Sequence, residues 1–343
     1  MRRLFLSPDS CSPIPMFSRL KRFGLDGFMI GLLSAVALAW LIPDVLKTGG
    51  LIHIDYFTTY GIALVFLLYG LTLSPTKMRE GVVNWRLHVV VQAATFLLFP
   101  LLGVLLVLAV GSRMDPALAL GFLYLCALPS TVSSSVAMTS IARGNVPGAI
   151  FNASLSSLIG VFITPLWVNA YLHSQGGGMD LGPVIMKIVL LVLLPIVLGQ
   201  ILRPFVLRWI EAHLAFAKFL DRATILAIVA NSFADSVAEG VWAAHGVGTI
   251  VLIAAISVGL FWVMFGLMSV LCRALGFDRG DRIAAIFCGS KKSLASGVPM
   301  AKIMFGANPA LGLIIAPIML FHLLQLIMVS VIARRYADSA PRN

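Results

Sequence analysis

The sequence predicts an all-α polytopic membrane protein in which ten transmembrane helices form two inverted five-helix repeats. Three observations support this fold class: the composition, the series of apolar segments and the placement of the basic residues. Of the 343 residues, 59% are hydrophobic and only 11% are charged, whereas soluble domains carry about 25% charged residues. A soluble core is therefore excluded, and apolar segments that cross about 30 Å of hydrocarbon are expected to form helices, which satisfy their own backbone hydrogen bonds.

Ten apolar segments, separated by polar, glycine-containing or proline-containing breaks, are each predicted to form one transmembrane helix. The first five comprise residues 25–42, 56–73, 87–110, 116–141 and 146–172. The second five comprise residues 183–202, 223–238, 247–275, 283–305 and 309–333. Since each half contains an odd number of spans, the two halves are expected to insert in opposite orientations, as in many secondary transporters.

Five regions follow from these segments. The leader at residues 1–23 is too polar and too often interrupted by proline for a signal peptide, so we predict a disordered cytoplasmic leader, with Met16 as an alternative start. The other regions are a first repeat at residues 24–172, a glycine-rich linker at 173–182, a second repeat at 183–334 and a cytoplasmic tail at 335–343.

The basic residues are segregated between alternate connections of this arrangement. Of the 25 Lys and Arg residues, 19 lie in one set of connections and termini and only 3 in the other, while Lys187, Lys291 and Lys292 lie inside spans. Short cytoplasmic loops are enriched in Lys and Arg. Both termini are therefore predicted to be cytoplasmic, and the short loops favour a bacterial cytoplasmic membrane. These loops account for the net charge of +11, so the expected partner is the lipid bilayer and no nucleic acid is expected.

The fourth and ninth spans, which are counterparts in the two repeats, are both interrupted by polar residues near their centres. In the fourth span the interruption comprises Pro129, Ser130, Thr131, Ser133, Ser134 and Ser135. In the ninth span it comprises Gly289, Ser290, Lys291, Lys292, Ser293, Gly297 and Pro299. Proline frees backbone carbonyls, and paired broken helices in transporters bind solutes and ions at such carbonyls and half-helix ends. The alternative is that these residues serve close packing or kinks.

Lys291 and Lys292 are the most informative residues of the ninth span. They follow Arg282 by nine and ten residues, which is about 14 Å of helix and places them near the centre of the bilayer. An ionised lysine at that depth costs about 3 kcal/mol or more unless it is paired or hydrated. We therefore expect at least one of them to hold an anionic substrate, to replace a coupling cation or to titrate.

The fifth span carries Asn152 and Ser156 on one helix face, because they are spaced i, i+4. Their oxygens suit a sodium shell. They suit hydrogen bonds between helices equally well, so both interpretations stay open.

Weaker candidates lie in other spans. Asp235 and Glu239 are also spaced i, i+4, near the non-cytoplasmic end of the seventh span, where they either line a vestibule or reach headgroup water. Gln92 and His322 are more often interhelical hydrogen-bonding groups than ligands, although a lone membrane histidine is also a candidate proton relay. The four cysteines form no metal-binding or disulfide pattern, and no cofactor is expected.

Three stretches resemble the bile acid:sodium symporter superfamily, also named solute carrier family 10. They are FCGSKKSLASGVPMAKIMF in the ninth span, ANSFADSV at residues 230–237 and YGIALVFLLYGLTL in the second span. The resemblance covers about residues 23–334 and is strongest to the branch that contains the seventh human member and bacterial homologues. It implies a panel domain of helices one, two, six and seven, and a core domain of the other six, in which broken helices four and nine cross.

The resemblance also implies an ion site at that crossing, where sodium-coupled members hold two sodium ions. Their serine–asparagine pair in the fourth helix aligns with Ser134 and Ser135, or with Ser133 and Ser134. Their third-helix glutamine falls near Gln92 or Thr95. With sodium as the candidate coupling ion, the candidate site comprises Ser134, Ser135, Asn152 and Ser156.

Several positions depart from the sodium-coupled pattern. Ala149 and Ala153 stand where those members have hydroxyl ligands. Phe287 replaces a shared glutamate, and Lys291 replaces a glutamine ligand. The lost carboxylate and the added cation disfavour sodium by several kcal/mol at an effective dielectric of about 20. The hypothesis is that a lysine ammonium occupies or displaces one sodium position, which leaves coupling to protons, to one ion in a shifted site, or to none.

The expected function is that of a secondary active transporter, a symporter that moves an organic anion or a bile-acid-like amphipathic solute by alternating access. Two alternatives use the same fold: a non-transporting membrane regulator or receptor, and an ion exporter. An enzyme is not expected, because the sequence contains no HExxH or GxSxG motif and no carboxylate pair at mid-membrane depth. The solute and the oligomeric state stay open.

Overall fold

The computed structural model describes residues 27–72, 81–178, 180–306 and 308–339. Within these ranges the chain consists of helices joined by short connections, and no strand occurs in them. The leader at 1–23 with Met16 and the end of the tail lie outside the described ranges. So do Lys77, Arg79 and Arg342, which are among the 19 basic residues counted above.

Helices occupy the first five predicted spans. They are α1 (Gly27–Leu41), α2 (Pro43–Leu46), α3 (Ile54–Thr72), α4 (Trp85–Ala93), α5 (Phe99–Val110), α6 (Pro116–Ala127), α7 (Ser133–Ile141) and α8 (Val146–Ser174). A π-helix at Ala94–Leu98 joins α4 to α5 into one long segment.

Helices also occupy the second five predicted spans. They are α9 (Leu181–Ile188), α10 (Leu194–Ala212), α11 (Leu214–Ala238), α12 (Val247–Ala274), α13 (Arg279–Gly289), α14 (Leu294–Phe305) and α15 (Leu311–Asp338). A second π-helix, at Val189–Leu193, joins α9 to α10. Each π-helix is followed within two residues by a proline, Pro100 or Pro195, which lacks the backbone donor of a regular helix.

Among the described residues, six helical stretches are long and apolar enough to cross a membrane. They are Ile54–Thr72, Trp85–Arg113, Val146–Ser174, Gly182–Ala212, Val247–Ala274 and Leu311–Asp338. These stretches coincide with the second, third, fifth, sixth, eighth and tenth predicted spans, and they support an integral membrane protein. The other four predicted spans do not meet this criterion, so the complete ten-span arrangement stays a prediction.

Several helix ends differ from the predicted boundaries, and three of them differ by five residues or more. The sixth span was predicted to end at residue 202, but α10 continues to Ala212, and α11 begins at Leu214 instead of residue 223. The last helix continues to Asp338, four residues into the predicted tail. Hydropathy marks where a helix leaves the apolar layer, whereas backbone hydrogen bonding continues through the polar residues beyond it.

Helices α1, α3, α10 and α11 pack against one another and are called here the four-helix group. The closest approach joins α3 to α10, where a Cβ atom on Gly70 would lie 2.3 Å from Ile196 O and one on Gly199 would lie 2.5 Å from Leu67 O. Glycine alone permits this backbone distance.

The other long helices pack around α6 and α15 and are called here the crossing group. Helix α11 contacts both α14 and α15, so it connects the four-helix group to the crossing group. Within the crossing group, the fourth and ninth predicted spans are both broken, as the polar interruptions predicted. Helix α6 ends at Ala127 before α7 begins at Ser133, and α13 ends at Gly289 before α14 begins at Leu294.

Candidate functional site

The two helix breaks lie directly against each other. The backbone N–H of Ser293 donates to the Pro129 carbonyl at 2.9 Å, and the Ser130 hydroxyl donates to the Cys288 carbonyl at 2.6 Å. Helix ends leave backbone groups without intrahelical partners, and here each break supplies partners to the other. The structure therefore brings the two predicted interruptions together in one place.

Lys292 is fully buried, and three backbone carbonyls surround its ammonium. The Nζ atom donates to Cys126 O at 2.6 Å, to Leu128 O at 2.7 Å and to Thr95 O at 3.0 Å. It also lies 4.3 Å from the centroid of the Phe99 ring, which adds a cation–π contact. An ammonium has three N–H donors, and all three are used. These three carbonyls are called here the carbonyl cage.

The origin of the carbonyl cage is in the irregular backbone around it. Helix α6 ends at Ala127, so the carbonyls of Cys126 and Leu128 are not taken by a further helical turn. The Thr95 carbonyl belongs to the π-helix between α4 and α5, where the regular hydrogen-bond pattern is interrupted. The cage therefore exists because two irregular segments meet beside the ninth-span break.

The backbone of Lys292 is held from α15. Its N–H donates to Gln325 Oε1 at 3.0 Å, and Gln325 Nε2 donates to the Lys292 carbonyl at 2.8 Å. Gln325 Nε2 also lies 2.9 Å from His322 Nδ1. These bonds hold the Lys292 backbone in place at the helix break, where the hydrogen bonds of a regular helix are missing. The predicted candidate His322 thus reaches the site through Gln325.

Lys291 is equally buried but has a different environment. Its Nζ donates to Ser134 Oγ at 3.0 Å, and this is its one hydrogen bond to the described residues. Ser134 donates to Thr131 Oγ1 at 2.8 Å, the Thr131 and Ser135 hydroxyls are 2.9 Å apart, and Ser135 donates to the Phe287 carbonyl at 3.1 Å. Ser134, Thr131 and Ser135 are called here the hydroxyl chain.

The predicted residues of the third and fifth spans form separate contacts. Gln92 Nε2 donates to the backbone carbonyl and to Oδ1 of Asn152, at 3.0 and 3.3 Å. Ser156 Oγ accepts from the backbone N–H of Ser130 at 2.9 Å. Ser134 and Ser135, the other two members of the candidate sodium site, belong to the hydroxyl chain. The four candidate sodium ligands are therefore divided among three separate groups of hydrogen bonds in this conformation.

The remaining predicted residues of the interruptions have local partners. Ser290 and Thr95 donate their hydroxyl protons to backbone carbonyls one turn earlier in their own helices. Ser293 is the N-cap of α14. Ser133 is exposed. Among the described residues, none of these four hydroxyl groups forms a hydrogen bond to a lysine ammonium.

A cavity of about 680 Å³ lies between the four-helix group and the crossing group. The four-helix group lines it mainly with apolar side chains, among them Val65, Phe66 and Ile196. Exposed Lys218 and Arg222, at the start of α11, mark its mouth. The polar lining from the crossing group comprises Thr131, Ser133, Ser134, Ser157, Ser293, Ser296 and His322.

At the other end of α11, a polar network joins the two groups around Asp235. The Asp235 carboxylate accepts from the backbone N–H and the hydroxyl of Thr48, at 2.6 and 2.8 Å. Lys302 of α14 donates to Asn231 Oδ1 at 2.9 Å and lies 3.9 Å from the Asp235 carboxylate. These contacts among Thr48, Asn231, Asp235 and Lys302 are called here the Lys302 network. Of the two predicted carboxylates, Asp235 belongs to it, whereas Glu239 is exposed beyond the end of α11.

Sequence reasoning did not select several residues of these sites. Cys126, Leu128 and Phe99 carry no polar side-chain signal, because two of them act through the backbone and the third through its ring face. Asn231 did carry a signal, since it is polar and lies inside a predicted apolar span, whereas Lys302 was counted with the connections. Pairing them required knowledge of how α11 and α14 pack.

Helices that suit a bilayer and two broken spans that meet beside a cavity are features of polytopic membrane transporters. The model of the SBF-like CPA transporter family matches residues 26–338 of the chain. The chain therefore belongs to this transporter family, and the predicted resemblance to the bile acid:sodium symporter superfamily is confirmed.

Three relatives match this chain over nearly their whole length. "Uncharacterized protein PA2026" of Pseudomonas aeruginosa is 43% identical over 319 residues, which are 92% of this chain and 94% of the relative. "Putative symporter YfeH" of Escherichia coli is 40% identical over 313 residues, 91% of this chain and 93% of the relative. "Sodium/bile acid cotransporter 7" of Mus musculus is 28% identical over 316 residues, 91% of this chain and 93% of the relative.

Proposed function

We propose that this protein is a secondary active transporter that moves an organic anion with an apolar body across the cytoplasmic membrane by alternating access. The observation that carries the proposal is a cavity of about 680 Å³ that reaches the two helix breaks from one end of α11, while the Lys302 network joins the two helix groups at the other end. A carrier needs a site that is open to one side at a time. The volume falls within the range of about 300 to 1,000 Å³ that is typical of small-molecule sites.

The arrangement of helices supports the ten-span, inverted-repeat plan. Helices occupy all ten predicted spans, and the counterpart spans four and nine are the two that are broken at their polar interruptions. We equate the four-helix group with the panel domain that the resemblance implies, and the crossing group with the core domain. Relative movement of these groups would break the Lys302 network and close the cavity. The basic mouth residues Lys218 and Arg222 favour a cytoplasmic position for the open side, which agrees with the predicted cytoplasmic termini.

The lining of the cavity favours a solute with an anionic head and an apolar body. Lys218 and Arg222 attract anions at the mouth, and Asp221 in the same lining offsets only one of their two positive charges. Burial of the apolar surface of the solute against side chains of α3 and α10 contributes about 25 cal/mol per Å² to binding. The hydroxyl of Ser134, with the Lys291 ammonium behind it, can receive the head. The mouse relative is named a sodium/bile acid cotransporter, so taurocholate is a suitable probe.

We infer from the carbonyl cage that the chain carries an attached cation at the two helix breaks instead of binding one from solution there. Rings of backbone carbonyls bind monovalent cations by replacing their hydration shell, and here the attached ammonium of Lys292 takes that place. We therefore assign the replaced cation position to Lys292 and not to Lys291. A free sodium ion would need either to displace this ammonium or to bind elsewhere, with Ser134, Ser135, Asn152 and Ser156 as the predicted set.

Uptake of radiolabelled taurocholate into proteoliposomes tests the proposal. We expect saturable uptake that persists when choline replaces sodium at fixed ionic strength. Liposomes without protein are the background control, and Lys187→Met, which changes an exposed lysine outside the cavity lining, is the control variant. Uptake that requires sodium would contradict the assignment of Lys292 and favour the predicted sodium set.

Thermal unfolding of the purified protein with taurocholate, in the same two salts, separates binding from transport. Stabilisation by taurocholate together with saturable uptake supports a carrier. Stabilisation without any saturable uptake would instead favour a membrane receptor or regulator on the same fold. Absence of both effects would remove amphipathic organic anions as the solute class.

A further inference from the structure

Three hydroxyl groups lie together where the four-helix group meets the crossing group beside the cavity. Tyr69 of α3 and Ser157 of α8 both line the cavity. The hydroxyls of Ser157 and Ser154 are polar neighbours of the Tyr69 hydroxyl. Ser154 precedes Ser157 by one turn of α8 and is only 1% exposed. Tyr69, Ser154 and Ser157 are called here the tyrosine subsite.

The tyrosine subsite has more hydrogen-bonding capacity than the protein uses. The Tyr69 and Ser154 hydroxyls are buried, and the geometry of their contacts completes no hydrogen bond in this conformation. Ser157 donates to the Ala153 carbonyl at 3.1 Å, so its oxygen can still accept a proton from another donor. Buried polar groups without partners cost stability, and native proteins retain few of them. The subsite therefore needs an explanation beyond packing.

The cavity wall around the tyrosine subsite is apolar. Val65 and Phe66 precede Tyr69 on α3 by about one turn, and Val161 follows Ser157 on α8 by about one turn. At these spacings they share a helix face with the subsite residues. The three hydroxyls thus form a neutral polar patch in an apolar wall. Such a patch suits a polar group on the body of an amphipathic solute better than it suits an ionic head.

The charged and titratable side chains of the cavity are carried by other helices. Lys218, Asp221 and Arg222 are at the start of α11, and His322 is on α15. Asp221 is half-buried in the lining and is the strongest competing acceptor for a solute hydroxyl. It is also next in sequence to a basic residue of the mouth, where the anionic head is attracted. Its contribution therefore has to be separated from that of the tyrosine subsite by experiment.

We propose that the tyrosine subsite binds a hydroxyl group on the apolar body of the solute, so that the carrier selects hydroxylated amphipathic anions. A hydroxyl both donates and accepts, so it can accept from Tyr69 while it donates to Ser157 or Ser154. The Tyr69 oxygen is covered in this conformation. The solute hydroxyl therefore enters when Tyr69 and Ser157 part, which movement between the two helix groups allows. The inference rests on the proposed function and adds a second polar group to its solute.

Selectivity follows from the cost of leaving the subsite unpaired. A site that hydrogen-bonds a hydroxyl of its ligand discriminates against an analogue without that hydroxyl, because the buried groups of the site then have no partner. Taurocholate carries hydroxyl groups on its ring system. The taurine conjugate of cholanic acid has the same skeleton and the same sulfonate but no ring hydroxyl. A comparison of these two anions therefore isolates the ring hydroxyls from the head.

Calorimetric titration of the purified protein with both anions, in a choline salt and at one pH, tests this inference. Tyr69→Phe removes one oxygen atom from the subsite. We expect this variant to raise the Kd for taurocholate by about three- to tenfold and to leave the Kd for the cholanic acid conjugate unchanged or lower. Tyr60→Phe is the matched control, because Tyr60 is an exposed tyrosine of the same helix outside the cavity lining, and it should change neither Kd.

Two binding results would overturn the inference. One is a Tyr69→Phe variant that leaves the Kd for taurocholate unchanged or changes both Kd values by the same factor. The other concerns Asp221→Asn, which is expected to change both Kd values by one factor because it acts on the shared head. A loss of affinity for taurocholate alone in Asp221→Asn, without such a loss in Tyr69→Phe, would make Asp221 the acceptor for the hydroxyl.

A measurement without solute distinguishes failure of this inference from failure of the proposed function. Tyr69→Phe removes an unpaired buried hydroxyl and should raise the midpoint of thermal unfolding by about 2 °C, whereas Tyr60→Phe should leave it unchanged. A lower midpoint for Tyr69→Phe would show that the hydroxyl is bonded in the free protein and would overturn the inference, whether or not taurocholate binds. A higher midpoint without binding of either anion would support the unpaired subsite and contradict the proposed class of solute.

Discussion

Methionine substitutions at Lys292 and Lys291 compare two adjacent positions with the same chemical change. Each substitution keeps an unbranched side chain of similar length and removes the ammonium. The positions differ in what is left behind, because Lys292→Met leaves three buried carbonyls without a donor, whereas Lys291→Met leaves one hydroxyl without its donor. The two variants are therefore expected to differ in stability.

The structure sets the expected magnitudes. Each buried acceptor that loses its partner costs about 1 to 3 kcal/mol, which is about 3 to 9 kcal/mol for the cage. Removal of the buried charge recovers about 3 kcal/mol of this cost. Lys292→Met is therefore expected to lower the free energy of unfolding by about 3 kcal/mol. Lys291→Met loses one charge-assisted hydrogen bond, which costs about 1.5 to 3 kcal/mol, and it also removes a buried charge, which recovers about 3 kcal/mol. The free energy of unfolding of Lys291→Met is therefore expected to be unchanged or higher by about 1 kcal/mol.

Thermal unfolding in detergent, at one pH and in a choline salt, measures this difference. A second arm uses Lys292→Ala, in which the cage has lost its ammonium, with sodium, potassium or ethylammonium in place of choline. A cation that binds the folded cage stabilises it by about 1.4 kcal/mol at a concentration ten times its Kd. Lys291→Ala in the same salts is the matched control and is expected to show no such rescue.

Two results would refute this reasoning. Equal unfolding midpoints for the two methionine variants, or a lower midpoint for Lys291→Met, would contradict the unequal environments of the lysines. A folded Lys292→Ala variant that no small cation stabilises would contradict the interpretation of the carbonyl cage as a monovalent-cation position.

Three further predictions concern other parts of the molecule. Asp235→Asn weakens the Lys302 network. A cysteine placed in the cavity of this variant should therefore react faster with an impermeant thiol reagent added from the non-cytoplasmic side. The control Glu239→Gln alters an exposed residue and should leave the reaction rate unchanged. Gly199→Ala places a Cβ atom 2.5 Å from a backbone carbonyl of α3 and should lower the free energy of unfolding by about 1 to 3 kcal/mol, whereas Gly259→Ala meets nothing within 4 Å and should be neutral or slightly stabilising. Arg222→Gln should raise the Kd for taurocholate by about two- to fivefold at low ionic strength, and the effect should vanish in high salt because exposed charges are screened.

Much of the fold was predictable because its signals are local in the chain. Six predicted spans coincide with helices that suit a membrane, and both polar interruptions are real breaks, since Pro129 and the Gly289–Ser293 stretch disfavour continuous helix in any context. The helices extend beyond the predicted span ends at residues 202 and 223. Hydropathy falls where the chain reaches polar surroundings, while the helix there continues to Ala212 and resumes at Leu214.

The candidate site was predictable in part. Sequence reasoning selected both lysines and the hydroxyl residues of the fourth span, because polar groups inside an apolar span require partners or a function. It did not separate the roles of Lys291 and Lys292, which have the same side chain and the same predicted depth. It also grouped Asn152 and Ser156 with the hydroxyl chain, although each bonds elsewhere in this conformation.

The sequence by itself determined the class of protein, the position of the helices and the two places where helices break, because hydropathy and proline act on the nearest turns of the chain. Only the tertiary structure decided which lysine is satisfied. The carbonyls that hold Lys292 come from 164 to 197 residues away in the sequence, and the hydroxyl that meets Lys291 from 157 residues away. The stability of a buried charge depends on the groups that surround it in space, and those groups are chosen by helix packing.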